Sequence, residues 1–100
     1  MKIYHLVLFR FKKGVSETQI KTLDEKLLTL RSLKGVVELT SGKNFSTRAQ
    51  NWDHGLTVIF ESKEALQHYQ ESQLHTDVKA NFITPITEDL LVLDYEQSLL

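Results

Sequence analysis

Ile3-Tyr4-His5-Leu6-Val7-Leu8-Phe9-Arg10-Phe11 (residues 3–11) is the stretch whose reading decides the fold. Side chains alternate along a strand, so Ile3, His5, Val7, Phe9 and Phe11 share one face while Tyr4, Leu6, Leu8 and Arg10 share the other. A strand wetted on one side shows polar residues at every second position. Here both faces are apolar, and both need covering. The one polar member of the first face is His5, a group that titrates near neutral pH and hydrogen-bonds in either direction. It is the first candidate for chemistry.

Outward from this strand, Lys12-Lys13-Gly14-Val15 is a polar break, and Ser16 with Gln19 three residues on forms a capping box for a helix start. Ile20, Leu23, Leu27 and Leu30 then recur at spacings of three and four, which predicts a helix ending near Leu30. Ser32 to Gly35 turns into a second strand, Val36–Ser41. Residues 42–53 have a loop composition interrupted by Phe45, Ala49 and Trp52, the pattern of a loop that packs. His54–Phe60 is a third strand, and Ser62 caps a second helix carrying Ala65, Leu66 and Tyr69 on one stripe. Ser72-Gln73-Leu74-His75 reads as a break before a short amphipathic turn through Val78 and Phe82, which Pro85 stops. Leu90–Tyr95 is a last strand, apolar on both faces like the first.

The order strand, helix, strand, strand, helix, strand predicts an α+β ferredoxin-like βαββαβ domain spanning residues 1–100. Right-handed crossovers place both helices on one side of its four-stranded antiparallel sheet. The other face, with Tyr4, Leu6 and Leu8, is left bare, and a bare apolar face predicts a homodimer in which one patch covers its own copy.

Twelve basic against thirteen acidic side chains give no global field for nucleic acid or an anionic membrane. No apolar run approaches the roughly 20 residues that span a bilayer. The absence of cysteine excludes disulfides and thiolate chemistry and fits a cytoplasmic setting. The nearest approach to a metal-ligand set is His75-Thr76-Asp77, with no histidines paired one helical turn apart, so no metal is expected. No glycine-rich phosphate loop is present, and no cofactor is expected. The Gly42-Lys43-Asn44 turn, followed by Arg48, suits either an anion or a simple bend. The topology also serves RNA-binding domains, but the aromatic patterns that stack bases are missing here.

The chain resembles the stress-responsive A/B barrel domain (Dabb) family of dimeric α+β barrels. The likeness rests on residues 5–12 (HLVLFRFK), Gly42-Lys43-Asn44, Phe60-Glu61-Ser62, Tyr69, His75 and the closing Leu91-Val92-Leu93-Asp94-Tyr95, and it covers nearly the whole chain. One branch of that family, the plant olivetolic acid cyclases, closes a linear polyketide by a cofactor-independent aldol reaction. The resemblance implies Tyr69 and His75 as the reacting pair, with His5 lining the pocket. An imidazole of near-neutral pKa removes a proton next to a carbonyl, and a phenol hydrogen-bonds the oxygen on which charge builds. The chain departs from the cyclases at Ser72-Gln73-Leu74, where they carry His-Pro-Ala, and at Leu23 and Leu27, where they carry aromatic residues.

The reading therefore expects a cleft between sheet and helices, with His75, Tyr69 and His5 as catalytic candidates and Val7, Phe9, Leu23, Leu27, Leu56, Val58 and Val78 lining it. Three functions stand open: binding of a small apolar ligand, a cyclase-like enzyme, and a structural stress-protective dimer without catalysis. A tyrosine present only for packing would bury its ring with the hydroxyl hydrogen-bonded.

Overall fold

The structure, a computed structural model, describes residues 1–99. Strand β1 (Ile3–Phe11) is central, paired antiparallel with β3 (His54–Phe60) on one side and β4 (Thr87–Glu96) on the other. Strand β2 (Val36–Lys43) pairs antiparallel with β3, giving the order β2-β3-β1-β4 of a ferredoxin-like sheet. Helices α1 (Glu17–Leu28), α2 (Lys63–Glu71) and α3 (Gln73–Val78) cover one face. Beneath them Ile3, His5, Val7 and Phe9 are buried, together with Leu56, Val58 and Phe60 of β3. Leu23, Leu27 and Leu30 descend onto that surface and are fully buried.

Local chemistry sets the boundaries. The Ser16 hydroxyl accepts the Gln19 N–H at 3.1 Å and the Gln19 side chain accepts the Ser16 N–H at 2.8 Å, closing the expected capping box. Ser62 caps α2 by accepting from the Ala65 N–H at 3.1 Å. The helical path beyond Leu28 tightens into a 3-10 turn, Thr29–Ser32.

Four sequence expectations need correction. Ser72 is no broken segment: its hydroxyl donates to the Tyr69 carbonyl at 2.8 Å and accepts the His75 N–H at 3.2 Å, so one residue ends α2 and starts α3. Strand β4 begins at Thr87 rather than Leu90, because a bulge at Arg10/Phe11 lets Phe11 pair with Thr87. Strand β2 runs on to Lys43, because Gly42 and Lys43 still have partners in Gly55 and His54. Within the following loop Ala49 and Trp52 pack but Phe45 does not; it is 98% exposed.

The molecule is only 17 Å thick at its thinnest, one sheet and one helical layer. The second sheet face is uncovered. On it Leu6 stands opposite Leu93, Leu8 opposite Leu91, and Tyr4 stacks on Tyr95 with ring centroids 5.1 Å apart. Tyr4, Leu6 and Leu8 are half-buried by their neighbours, while Leu91, Leu93 and Tyr95 are exposed.

Candidate functional site

Strand parity and the α2–α3 junction bring three ionisable rings together. His5 rises from the covered face of β1, Tyr69 comes from the last turn of α2, and His75 from the first turn of α3. The Tyr69 ring centroid is 4.8 Å from that of His75 and 6.0 Å from that of His5. Phe60 packs edge-on against Tyr69 at 4.9 Å and fixes its plane. Beside these rings lies a cavity of about 130 Å³. Val7, Phe9, Leu27 and Leu56 line it together with His5, Tyr69 and His75.

Leu23, Val58 and Val78, expected in the lining, do not border the cavity; they are packed into the core between sheet and helices. In their place Lys79, Ile83, Leu90 and Val92 contribute. Lys79 and Ile83 bound a π-helical turn, Lys79–Ile83, a form that recurs next to functional sites because it displaces side chains from regular helical positions. Val92 is half exposed, so the cavity reaches the open edge of the sheet along β4.

The Tyr69 hydroxyl is buried and has no hydrogen-bond partner, unlike a tyrosine kept for packing alone. Burial pushes its pKa well above the ordinary value. It stays protonated and acts as a donor. His75 is half-buried, and its pKa is lowered first by burial, then by the Lys79 ammonium and by His5, with a backbone hydrogen bond at Gln70 opposing them. Its ring is neutral at pH 7 and has a lone pair to offer. His5 is buried, and its Nδ1 is hydrogen-bonded to the Asp94 carboxylate on the neighbouring strand. A carboxylate oxygen accepts, so Nδ1 carries the proton of this hydrogen bond.

Asp94 is the partner that sequence reasoning missed as a site residue. Its signal was the parity of β4, which puts Leu90, Val92 and Asp94 on the covered face and Asp94 directly opposite His5. His54 lies elsewhere: buried, its Nε2 is 2.7 Å from Asp24 Oδ1, which also accepts the Ser41 hydroxyl at 2.7 Å. That cluster ties β2 and β3 to α1. His68 is exposed on the outer face of α2. Among the described residues no group of three or more His, Cys, Asp or Glu could hold a metal ion. No helix among them is long and apolar enough to cross a membrane.

A helix-covered four-stranded sheet with a small cavity between the layers defines the ferredoxin-like α+β class. Within it, residues 3–97 match the stress responsive A/B barrel domain, and the chain belongs to that family, Dabb. A curated stress-response A/B barrel domain-containing protein of Arabidopsis thaliana is 31% identical over 94 residues. Those residues are 93% of this chain and 36% of the Arabidopsis protein, so the chain spans about a third of that relative's length. Among solved structures, At3g17210 from Arabidopsis thaliana superposes with a TM-score of 0.87 at 27% identity, covering 98% of this chain and 97% of the other. A hydroxynitrile lyase from Passiflora edulis gives a TM-score of 0.89 at 21% identity over 99% and 95% of the two chains. A dimeric ferredoxin-like protein of unknown function from Thermobifida fusca gives 0.86 at 21% over 97% and 92%. At these last two identities the likeness is one of fold.

Proposed function

We propose that this chain acts in the cytoplasm as a homodimer, each copy binding one small, largely apolar molecule with an oxygen acceptor in the cavity beside Tyr69. The observation that carries this reading is the Tyr69 hydroxyl, buried without a partner beside a cavity whose walls are mostly apolar, with His5, Gln70, His75 and Lys79 as its other polar members. Such a group costs stability and gives nothing back until an acceptor arrives. A ligand oxygen is that acceptor. At about 30 Å³ per water the cavity has room for roughly four, so its occupant is a compact molecule or one that extends past Val92 at the open edge. The dimer uses the bare face, with Tyr4, Leu6 and Leu8 of β1 beside Leu91, Leu93 and Tyr95 of β4.

The neutral state of His75 favours a second reading, a cofactor-independent enzyme of the cyclase type. In it His75 removes a proton next to a carbonyl, Tyr69 donates to the oxygen on which charge accumulates, and His5, oriented by Asp94, positions the substrate. Nuclear magnetic resonance titration with a panel of small ketones, aldehydes and polyketide-like carbonyl compounds tests both. Binding requires a joint, saturable response of His5, Tyr69 and His75. Under the enzymatic reading His75→Ala abolishes turnover and leaves binding nearly intact. No joint response from any compound leaves a stress-protective dimer without small-molecule chemistry.

A further inference from the structure

A second cavity lies on the same covered face, beyond the end of β1, and nothing ascribed above to Tyr69, His75 or His5 uses it. It holds about 580 Å³, within the roughly 300–1,000 Å³ of small-molecule sites. The two cavities share no lining residue. Between them stands Phe9, a wall of the smaller, with its ring 6.2 Å from those of Phe11 and His54 in the larger.

The walls of this second cavity are preformed. His54, buried, is held by Asp24. Trp52 is set by its own N–H to the Ala49 carbonyl at 3.0 Å and by the Asn44 side chain donating to its carbonyl at 3.0 Å. The next residue, Asp53, donates its N–H to the Phe9 carbonyl at 2.8 Å. Phe11, Trp52 and His54 border it with aromatic surface, the Trp52 ring carrying the Arg10 guanidinium 4.4 Å from its centroid.

Charge around the cavity is unevenly engaged. Lys12, Lys21 and Lys43 line it from the turn after β1, from α1 and from the end of β2, and none has an ion-pair partner among the described residues. Of the carboxylates that also line it, Asp24 is taken up by His54 and Ser41, and Asp53 accepts the Phe11 N–H at 2.8 Å. Glu17 is the third carboxylate, so the lining holds three acidic and three basic side chains, and what differs is that Asp24 and Asp53 are tied down by hydrogen bonds while the lysines, among the described residues, are not. Lys43 belongs to the Gly42-Lys43-Asn44 stretch singled out in the sequence as a turn, of which Gly42 and Lys43 prove to be the end of β2, while Arg48 of that reading lies outside the cavity.

We propose that this cavity binds a small planar organic anion, its charged group held by Lys12, Lys21 and Lys43 and its ring lying among Phe11, Trp52 and His54. Trp52 is the single tryptophan of the chain and borders both this cavity and the neighbouring one beside Leu8 and Phe45, so its fluorescence reads binding, and a Lys21 dependence places it in this cavity, since Lys21 lines only this one of the two. Benzoate should change Trp52 emission saturably, and benzyl alcohol and inorganic phosphate should each bind at least about tenfold more weakly. Lys21→Glu combined with Lys43→Glu should weaken benzoate by about tenfold or more, with the circular dichroism spectrum unchanged. Equal binding of benzyl alcohol, equal binding of phosphate, insensitivity to the lysine exchange, or no saturable change at all would each overturn the proposal. So would resonance shifts confined to Tyr69 and His75, which would put benzoate in the smaller cavity.

Discussion

Burying a phenol with no acceptor costs about 1–3 kcal/mol relative to a satisfied or absent hydroxyl, and Tyr69 carries that cost in the unliganded chain. Tyr69→Phe should therefore raise the urea midpoint, by about 1 kcal/mol of stability, while removing the response to any oxygen-bearing ligand. A destabilised variant would show that the hydroxyl already has a partner, and the ligand argument would fail. His75 makes a prediction in pH. Because its folded pKa lies below the ordinary 6.5, the unfolded chain binds more protons below that value, and stability rises with pH there. The stability held by the neutral ring is complete above pH 6.5 and is lost as pH falls through the folded value. Urea midpoints should be level near neutrality and decline as pH falls below about 6.5, more steeply in the wild type than in His75→Gln. At this scale the sequence was uneven. Tyr69 and His75 were found through resemblance, since they lie on separate short helices and no spacing links them, whereas His5 was already marked by its place on the apolar face of β1. Asp94 sits 89 residues from His5 and becomes its partner only through strand register.

Strands were the most legible elements because their two-residue period is written by β-branched and aromatic side chains. Expected and observed limits coincide for β1 and β3, which are buried on the helix side along their length. At the sheet edges the period says less: β2 and β4 continue as far as a neighbour supplies hydrogen bonds, and that depends on another segment's length. Helix α3 was missed for a related reason. Its start is set by Ser72 bonding backward to α2 and forward to His75, a double role invisible in a six-residue pattern. Gly35 shows what an element junction demands. It has φ +86°, its carbonyl accepts the Glu61 N–H at 3.0 Å, and a Cβ there would collide with the Ala65 Cβ on α2. Gly14 has φ +82° with open space around it. Gly35→Ala should cost about 3 kcal/mol, left-handed strain plus overpacking, and Gly14→Ala about 1 kcal/mol for strain alone. Equal losses in chemical denaturation would mean that α2 yields to the added methyl.

A typical monomer of 11.6 kDa exposes about 5,800 Å², and this chain exposes 6705 Å². The excess, roughly 900 Å², is close to the 800 Å² or so that one partner buries in a standard interface. Part of it is the flatness of a molecule 17 Å thick, and part is the row Leu91, Leu93 and Tyr95 on the uncovered face. Leu6, at the centre of the face between Leu93 and Thr57, discriminates between an open and a covered sheet. On a monomer a lysine at this position reaches water along its own stem at little cost. Between two sheets it is an unpaired buried charge, repeated by symmetry in the partner, at a cost of about 3 kcal/mol or more. Leu6→Lys should then weaken the dimer by more than about a hundredfold, seen in sedimentation velocity as a shift to monomer with the helical circular dichroism signal retained. If the variant sediments as the wild-type dimer does, the two copies meet through another surface. If the wild type itself sediments as a monomer, the exposed leucines of β4 need a different partner.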